Sequence, residues 1–137
     1  MAAQLLREAG FKVDLETLPG TSYITRRAQK TGWSAIPSYG TWWSAAVPIS
    51  ANHLSAAGDK AWVGWPFDSV LETLRDAFAR ASTDSERISL ATKIQIRAME
   101  VVTHVPLGES FPMIAARRNI TGFVTSPIMT YWNLEKR

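Results

Sequence analysis

The side chains that most often carry metal or nucleophilic chemistry are scarce in this chain. It has no cysteine and two histidines, His53 and His104, which lie far apart in the sequence. No glycine-rich phosphate loop, GxSxG elbow or HExxH motif occurs, and these are the spacings that place a phosphate, a serine nucleophile or a zinc ion. Most carboxylates fall on predicted helix surfaces that face solvent. Pairs of Asp and Glu side chains that could act in catalysis meet only in the fold, so an enzyme of that kind stays open from the residues alone. We predict that the chain is not an enzyme and has no catalytic residue, no cofactor and no metal.

Aromatic side chains are the more informative group. Five of the six tryptophans lie in residues 33–65, and residues 39–43 hold three rings. This run follows a predicted strand, and loops beyond the carboxyl ends of strands form the ligand crevices of α/β sheets. We predict a largely uncharged binding surface with apolar ring contacts and hydroxyl hydrogen bonds. Its residues are Tyr39, Gly40, Thr41, Trp42, Trp43 and Ser44. The alternative is that the rings only fill space between helices or lobes.

The basic residues do not form a phosphate-binding stripe. Lysine and arginine number 15 against 12 acidic residues, for a net charge of +3 and a pI near 9.5, but they are spread along the chain. The pairs Arg26-Arg27 and Arg117-Arg118 are predicted to lie on a solvated helix face and at a strand end. Binding to nucleic acid needs a concentrated basic surface, so we predict no nucleic-acid partner.

Helices and strands that would position these residues alternate over the first part of the chain. The apolar spacing predicts a helix over residues 1–9, a strand over 11–17, a helix from Thr21 or Ser22 to Lys30 and a strand over 33–39. Gly10 and Gly32 are placed to end the two helices, and Pro37 restricts the second strand to an edge or to its end. This alternation favours an α/β fold built from crossover units.

The middle of the chain is irregular over residues 40–65 and continues into a helical hairpin. The helices are predicted over residues 67–81 and 84–102, and residues 83–86 form a capping box before the second. Both helices have one apolar face, so they should pack as an antiparallel pair against another element. Beyond them we predict a strand over 111–117, a turn over 119–122 and an extended piece over 131–134.

Length and composition limit the classes of protein to which the chain can belong. A chain of 137 residues, 46% of them apolar, has the size of a single globular domain, and no apolar run approaches the roughly 18 residues of a membrane span. The chain starts inside a predicted helix with no N-cap residue and no signal peptide before it. These features predict that it is the tail of a longer protein, with a frayed native terminus as the alternative.

Several sequence blocks occur in an order that matches a known family. They are residues 5–18 (LLREAGFKVDLETL), Arg26-Arg27-Ala28 before a predicted strand, the glycine and aromatics at 39–43, residues 81–87 (ASTDSER), Val105-Pro106-Leu107 and residues 116–123 (ARRNITGF). In this order and spacing, over nearly the whole chain, they resemble the C-terminal part of the family 5 extracellular solute-binding proteins. These are receptors of bacterial ABC importers for peptides, nickel and related ligands.

The resemblance implies an α/β chain that is part of a two-lobed, class II periplasmic-binding-protein-like fold, with a mixed sheet, flanking helices and a helical hairpin. Residues 1–105 would be the rear part of the C-terminal ligand-binding lobe, and residues 106–137 the hinge return and a segment of the N-terminal lobe. The whole receptor would bind a small solute such as a peptide between its lobes and deliver it to an ABC permease. It would act in the periplasm or outside the cell, membrane-associated through the permease.

One position departs from the pattern of the peptide-binding members of this family. They often carry an aspartate in the loop after the strand that ends near Tyr39, where it pairs with the amino terminus of the ligand. Here no acid occurs until Asp59. A buried counter-charge for a cationic amine would therefore be missing, and a peptide is the default ligand through the resemblance alone.

Other functions and partners remain open from the sequence. Exposed tryptophans also stack on sugar rings, so a stand-alone aromatic- or carbohydrate-binding module is the alternative function. A receptor tail by itself would leave apolar surface uncovered. Either the remainder of the same receptor or self-association of this chain would cover that surface.

Overall fold

The computed structural model describes residues 2–41, 44, 46–109, 115–124, 126 and 130–137. It divides into two compact units, Met1–Leu107 and Gly108–Arg137, which are described one at a time. The assignment of the chain to two lobes of a receptor remains a prediction. Within the described ranges, no helix has both the length and the apolar character needed to cross a membrane.

The first helix, α1, spans Ala2–Glu8 and ends as the sequence predicts. Gly10 has a φ of +89°, and the amides of Gly10 and Phe11 each donate, at 3.0 Å, to carbonyls in the last turn of the helix. These bonds form a Schellman motif, in which a left-handed glycine lets the chain satisfy carbonyls that the helix leaves free. The predicted helix is confirmed, although its first residue, Met1, lies outside the described residues.

Neither segment predicted as a strand in the first unit is one. Residues 11–17 and 33–39 contain no strand, and Phe11 and Leu15 are 63% and 61% exposed. An alternating pattern becomes a strand only where a partner takes up the backbone hydrogen bonds and covers the apolar face. The described residues provide no such partner, so the period-two pattern predicted these strands wrongly.

Helix α2 spans Gly20–Arg27 and differs from its prediction at both ends. Its N-cap residue is Pro19, which makes no side-chain hydrogen bond, so Thr21 and Ser22 lie inside the helix and do not cap it. Proline tolerates this position because its missing amide would have no partner in the first turn. The helix ends well before Gly32, which nevertheless adopts a left-handed φ of +85°.

Helices α3 (Ser69–Arg80) and α4 (Asp84–Val101) form the predicted helical hairpin. The side chain of Asp68 caps α3 by accepting the amide of Leu71 at 2.7 Å. Helix α4 begins with the predicted capping box, in which Thr83 and Glu86 exchange side-chain-to-backbone hydrogen bonds at 3.3 Å. The predicted capping box therefore locates the start of α4, whereas α3 begins at Ser69, two residues after its predicted start.

An ion pair shows that the two hairpin helices run antiparallel. Arg97, near the end of α4, makes two hydrogen bonds of 2.6 and 3.1 Å to Asp68 at the start of α3. The Arg97 guanidinium and the Leu71 amide hold the pKa of the Asp68 carboxyl below its ordinary value. The same carboxylate thus caps one helix and binds the other.

The core of the first unit lies between the hairpin and the loop before it. The fully buried apolar residues in the described part are Ala51, Ala56, Leu71, Ile94 and Ala98. Ile94 and Ala98 lie on the apolar face predicted for α4 and are buried. Val102 is instead 60% exposed, because it leaves the helix in the left-handed conformation with a φ of +53°.

The loop over residues 46–57 is bound to α3 by a polar network. The Glu72 carboxylate accepts the Ala56 amide at 2.7 Å and an Arg75 nitrogen at 2.6 Å. Arg75 also donates to the carbonyls of Pro48 and Ile49, at 3.2 and 3.1 Å. The loop contains a 3-10 turn, Asn52–Leu54, and a second turn of this kind, Gly58–Lys60, follows it.

The second unit contains two short strands, β1 (Ile120–Thr121) and β2 (Glu135–Lys136). They are antiparallel, with Ile120 opposite Lys136 and Thr121 opposite Glu135. The turn predicted over 119–122 is wrong at residues 120–121, which form β1, although Asn119 lies in a turn. The extended piece predicted over 131–134 is wrong because these residues form a turn, in which the Leu134 amide donates to the Tyr131 carbonyl at 3.3 Å. Residues 111–114 of the third predicted strand lie outside the described residues, and residues 115–117 are not a strand.

A glycine permits the close approach of the segments next to these strands. Gly122 has a φ of +84°, and a Cβ atom there would lie 1.7 Å from the carbonyl oxygen of Asn133. No other residue fits without moving the backbone. This strand pair is the only sheet among the described residues, so the larger mixed sheet of the α/β fold remains a prediction.

Candidate functional site

The predicted binding surface is partly described by the structure. Tyr39 is 87% exposed, Gly40 is exposed, and Thr41 and Ser44 are half-buried. Trp42 and Trp43, the two rings expected to give most of the contact, lie outside the described residues. A Cβ atom at Gly40 would meet the Ser44 Oγ at 3.8 Å, an ordinary contact, so packing does not demand glycine there.

The hydroxyls of Thr41 and Ser44 are engaged with each other. Ser44 Oγ donates to the Thr41 carbonyl at 2.8 Å and accepts the Thr41 amide and hydroxyl at 3.2 Å each. The Ser44 hydroxyl has therefore used its donor and both lone pairs. Within the described contacts, the Thr41 hydroxyl keeps its lone pairs, so this turn offers a ligand an acceptor and the exposed Tyr39 ring.

A second aromatic group lies where α2 is followed by Trp33. The rings of Trp33 and Trp65 are tilted by 38° with centroids 6.1 Å apart, and the Trp33 indole nitrogen donates to the Gln29 carbonyl at 2.7 Å. Lys30 Nζ lies 5.4 Å from the Trp65 ring centroid and forms an ion pair with Asp59. The lysine lowers the pKa of Asp59 by a hydrogen bond and by its charge.

Arg27 joins two further rings to this region. Its guanidinium carbon lies 5.6 Å from the Tyr23 ring centroid and 5.5 Å from that of Trp62, both within the range of cation–π attraction. Tyr23 in turn donates its hydroxyl to the Pro37 carbonyl at 2.7 Å. We call Tyr23, Arg27, Lys30, Trp33, Trp62 and Trp65 the ring and cation cluster.

The loop that carries Trp62 and Trp65 contains an unusual backbone conformation. Trp65 has a φ of +47° and follows Gly64 at +102°, and a large side chain rarely adopts the left-handed region. An isolated bridge between Ala57 and Phe67 closes the loop. The Trp33 ring and the Lys30 cation both contact Trp65, so the cluster stabilises a conformation that costs about 1–3 kcal/mol.

The two histidines, distant in the sequence, meet in the fold. The rings of His53 and His104 are edge-to-face with centroids 4.4 Å apart, and the Thr103 hydroxyl lies 3.1 Å from His104 Nδ1. Burial lowers the pKa of both imidazoles, and the charge of His104 lowers that of His53 further. Among the described residues, no group of three metal-binding side chains occurs, so the pair lacks the further ligands of a zinc site.

Sequence reasoning located the aromatic region but missed how its rings are used. Trp33, Trp62 and Trp65 were noted only as part of the aromatic-rich region, and the structure places these three rings beside α2. The two basic residues on that helix were predicted to face solvent. Local spacing holds no signal for either the cation contacts or the histidine pair, because both join segments that are far apart along the chain.

Comparison with known proteins points to a class of transport protein. No protein-family model matches the chain, and no solved structure matches it. A match among curated proteins is to a periplasmic-binding protein of the ABC transporter type, which confirms the resemblance to such receptors that the sequence blocks indicate.

That relative is the probable peptide ABC transporter periplasmic-binding protein of Sinorhizobium fredii. It is 28% identical to this chain over 141 aligned residues, which cover 99% of this chain and 27% of the relative. The chain therefore spans about a quarter of the length of the protein it matches.

Proposed function

We propose that this chain is part of the substrate-binding component of a bacterial ABC importer. The observation that carries the proposal is the similarity to a periplasmic-binding protein over 99% of the chain. In this proposal the complete receptor holds a peptide-like or other small solute in a cleft between two lobes and delivers it to a membrane permease. It acts in the periplasm or outside the cell and catalyses no reaction.

The contact surface for the solute is proposed to be residues 39–44. The exposure of Tyr39, at 87%, supports this assignment because an exposed ring is available to a ligand. Thr41 supplies a hydroxyl acceptor, and Trp42 and Trp43 are proposed to add apolar contact. Aromatic surfaces of this kind bind ligands mainly through buried apolar area and complementary shape, with few hydrogen bonds.

The ligand of this surface is proposed to need no free amino group. Asp59 is the first acidic residue after the surface in the sequence, and its carboxylate is paired with Lys30. Transferring it to a ligand amine would break that ion pair. A peptide with a blocked amino terminus should therefore bind as well as a free one.

Tryptophan fluorescence of the complete receptor that contains this chain tests the proposal. Trialanine should shift or quench the emission, and the double variant Trp42→Ala/Trp43→Ala should abolish the response. Trp132→Phe is the matched control, since Trp132 lies in the other unit and is 92% exposed, so the response should survive it. A response to oligosaccharides with none to peptides would instead support the carbohydrate-binding alternative.

The remainder of a longer receptor is proposed to cover apolar surface on this chain. The side of α4 away from the core carries Ile88, Ile96 and Met99, which are 69%, 56% and 61% exposed. Sedimentation velocity distinguishes coverage of this surface by the remainder of a receptor from coverage by a second copy of the chain. Dimers that dissociate after Ile96→Lys would support self-association, whereas a monomer at every concentration, with an open reading frame upstream of Met1, would support the receptor.

A further inference from the structure

One hydrogen bond ties α2 to the segment that leads into the proposed binding surface. The Tyr23 hydroxyl donates to the carbonyl oxygen of Pro37 at 2.7 Å. Among the described residues it is the one hydrogen bond that the backbone of residues 34–39 makes. Since this segment belongs to no strand, the contact with Tyr23 is its main polar restraint within the part that the structure describes.

The ring that makes this bond is itself held in place. The Arg27 guanidinium lies over the rings of both Tyr23 and Trp62, at 5.6 and 5.5 Å from their centroids. All three side chains are half-buried. A planar cation that attracts two rings restricts both, so the position of the Tyr23 hydroxyl depends on Arg27.

We propose that Tyr23 and Arg27 are positioning residues for the binding surface. Arg27 holds the Tyr23 ring beside Trp62, and the Tyr23 hydroxyl fixes the backbone that presents Tyr39. Neither residue contacts the ligand. The role in binding rests on the proposed function, whereas the restraint on the backbone can be measured without a ligand.

Limited digestion with chymotrypsin measures this restraint in the full chain. Cleavage after Tyr39 requires the flanking backbone to leave its folded position, and its rate follows the population of that open state. Tyr23→Phe keeps the ring beside Arg27 and removes the hydroxyl. Cleavage after Tyr39 should then accelerate about two- to tenfold, as expected for the loss of one hydrogen bond. Cleavage after Tyr131, in the other unit, gives the reference rate in the same digest.

Thr25→Ala is the matched control on the same helix. Thr25 donates its hydroxyl to the Thr21 carbonyl within α2, so the variant loses a hydroxyl and leaves the Pro37 contact intact. It should leave the ratio of the two cleavage rates unchanged. Arg27→Gln should raise the ratio as Tyr23→Phe does. A ratio that stays constant in Tyr23→Phe, or rises equally in Thr25→Ala, would overturn the proposal.

Calorimetry of trialanine with the complete receptor, in which this chain is wild type or Tyr23→Phe, separates this inference from the proposed function. If the peptide binds and Tyr23→Phe weakens it by about the factor seen in cleavage, the positioning role in binding is supported. If the wild-type receptor binds no peptide while cleavage after Tyr39 still accelerates, the restraint stands and the proposed ligand is wrong. If the peptide binds equally well to both receptors, the role in binding is refuted and the proposed function survives.

Discussion

Replacing Arg75 should destabilise the first unit, because its guanidinium holds the loop over residues 46–57 to α3. The side chain is 12% exposed and donates to Glu72 and to the carbonyls of Pro48 and Ile49, at 2.6, 3.2 and 3.1 Å. A hydrogen bond from a charged donor contributes about 1.5–3 kcal/mol. In the variant, water can replace part of this network, so the loss is smaller than the sum of the three hydrogen bonds. Arg75→Met should therefore lower the free energy of unfolding by about 2–4 kcal/mol.

The assay is urea denaturation followed by far-ultraviolet circular dichroism, with Arg80→Met as the matched control. Arg80 lies on the same helix and pairs with Asp76 at 3.4 Å, but its side chain is 76% exposed. Exposed ion pairs contribute about 0–1 kcal/mol. Both variants remove one charge and introduce the same side chain into α3. The difference between their free energies of unfolding therefore measures the contribution of the Arg75 network to stability.

Equal losses of stability in the two variants would refute the reasoning, because burial and the carbonyl contacts would then contribute nothing. A large loss of stability in Arg75→Met supports the reasoning if the slope of the unfolding free energy against urea concentration is unchanged. The slope reports the surface exposed on unfolding, so its constancy shows that the native state kept its compactness.

Three further predictions concern the second unit, the histidine pair and the ligand. Gly122→Ala should lower the melting temperature far more than Gly10→Ala. Both glycines have positive φ, but a Cβ at Gly122 would lie 1.7 Å from a backbone oxygen and one at Gly10 would meet nothing within 4 Å; similar losses would contradict the steric argument. The pKa values of His53 and His104 are lowered below 6.5 in the folded chain, so protons bind preferentially to the unfolded state below that pH. The stabilisation should be complete above pH 6.5 and decline as the pH falls through the folded values, measured as urea midpoints at pH 7.5, 6.5 and 5.5. His53→Phe/His104→Phe should flatten this dependence, and a wild-type midpoint that is constant over this range would disprove it. Acetylation of trialanine should change its dissociation constant less than twofold by calorimetry, and a large loss of affinity would show that the binding surface recognises the amino group.

The sequence predicted the elements whose signals are local. The capping box at Thr83 and the glycine cap at Gly10 depend on hydrogen bonds within one turn, so their residue types suffice to locate them. The strands over 11–17 and 33–39 failed because a strand depends on a partner segment, which alternation alone does not supply.

The same distinction applies to the candidate site. The aromatic and hydroxyl character of residues 39–44 follows from their residue types, and their role in binding stays a prediction. The hydrogen bond between Tyr23 and Pro37 joins residues that no sequence period connects. The same is true of the contact between Arg27 and the Trp62 ring. Such contacts follow from tertiary packing, which a single sequence does not reveal.

The partners of the cationic side chains on and just after α2 affect nonspecific binding to polyanions. Arg26 is paired with Glu16, Arg27 lies over two rings, and Lys30, three residues beyond the helix, is paired with Asp59. Polyanions such as nucleic acids or anionic lipids adsorb to proteins through cations that are free to exchange their counterions. Because each of these three charges already has an internal partner, this segment should resist nonspecific adsorption despite the chain's pI of about 9.5.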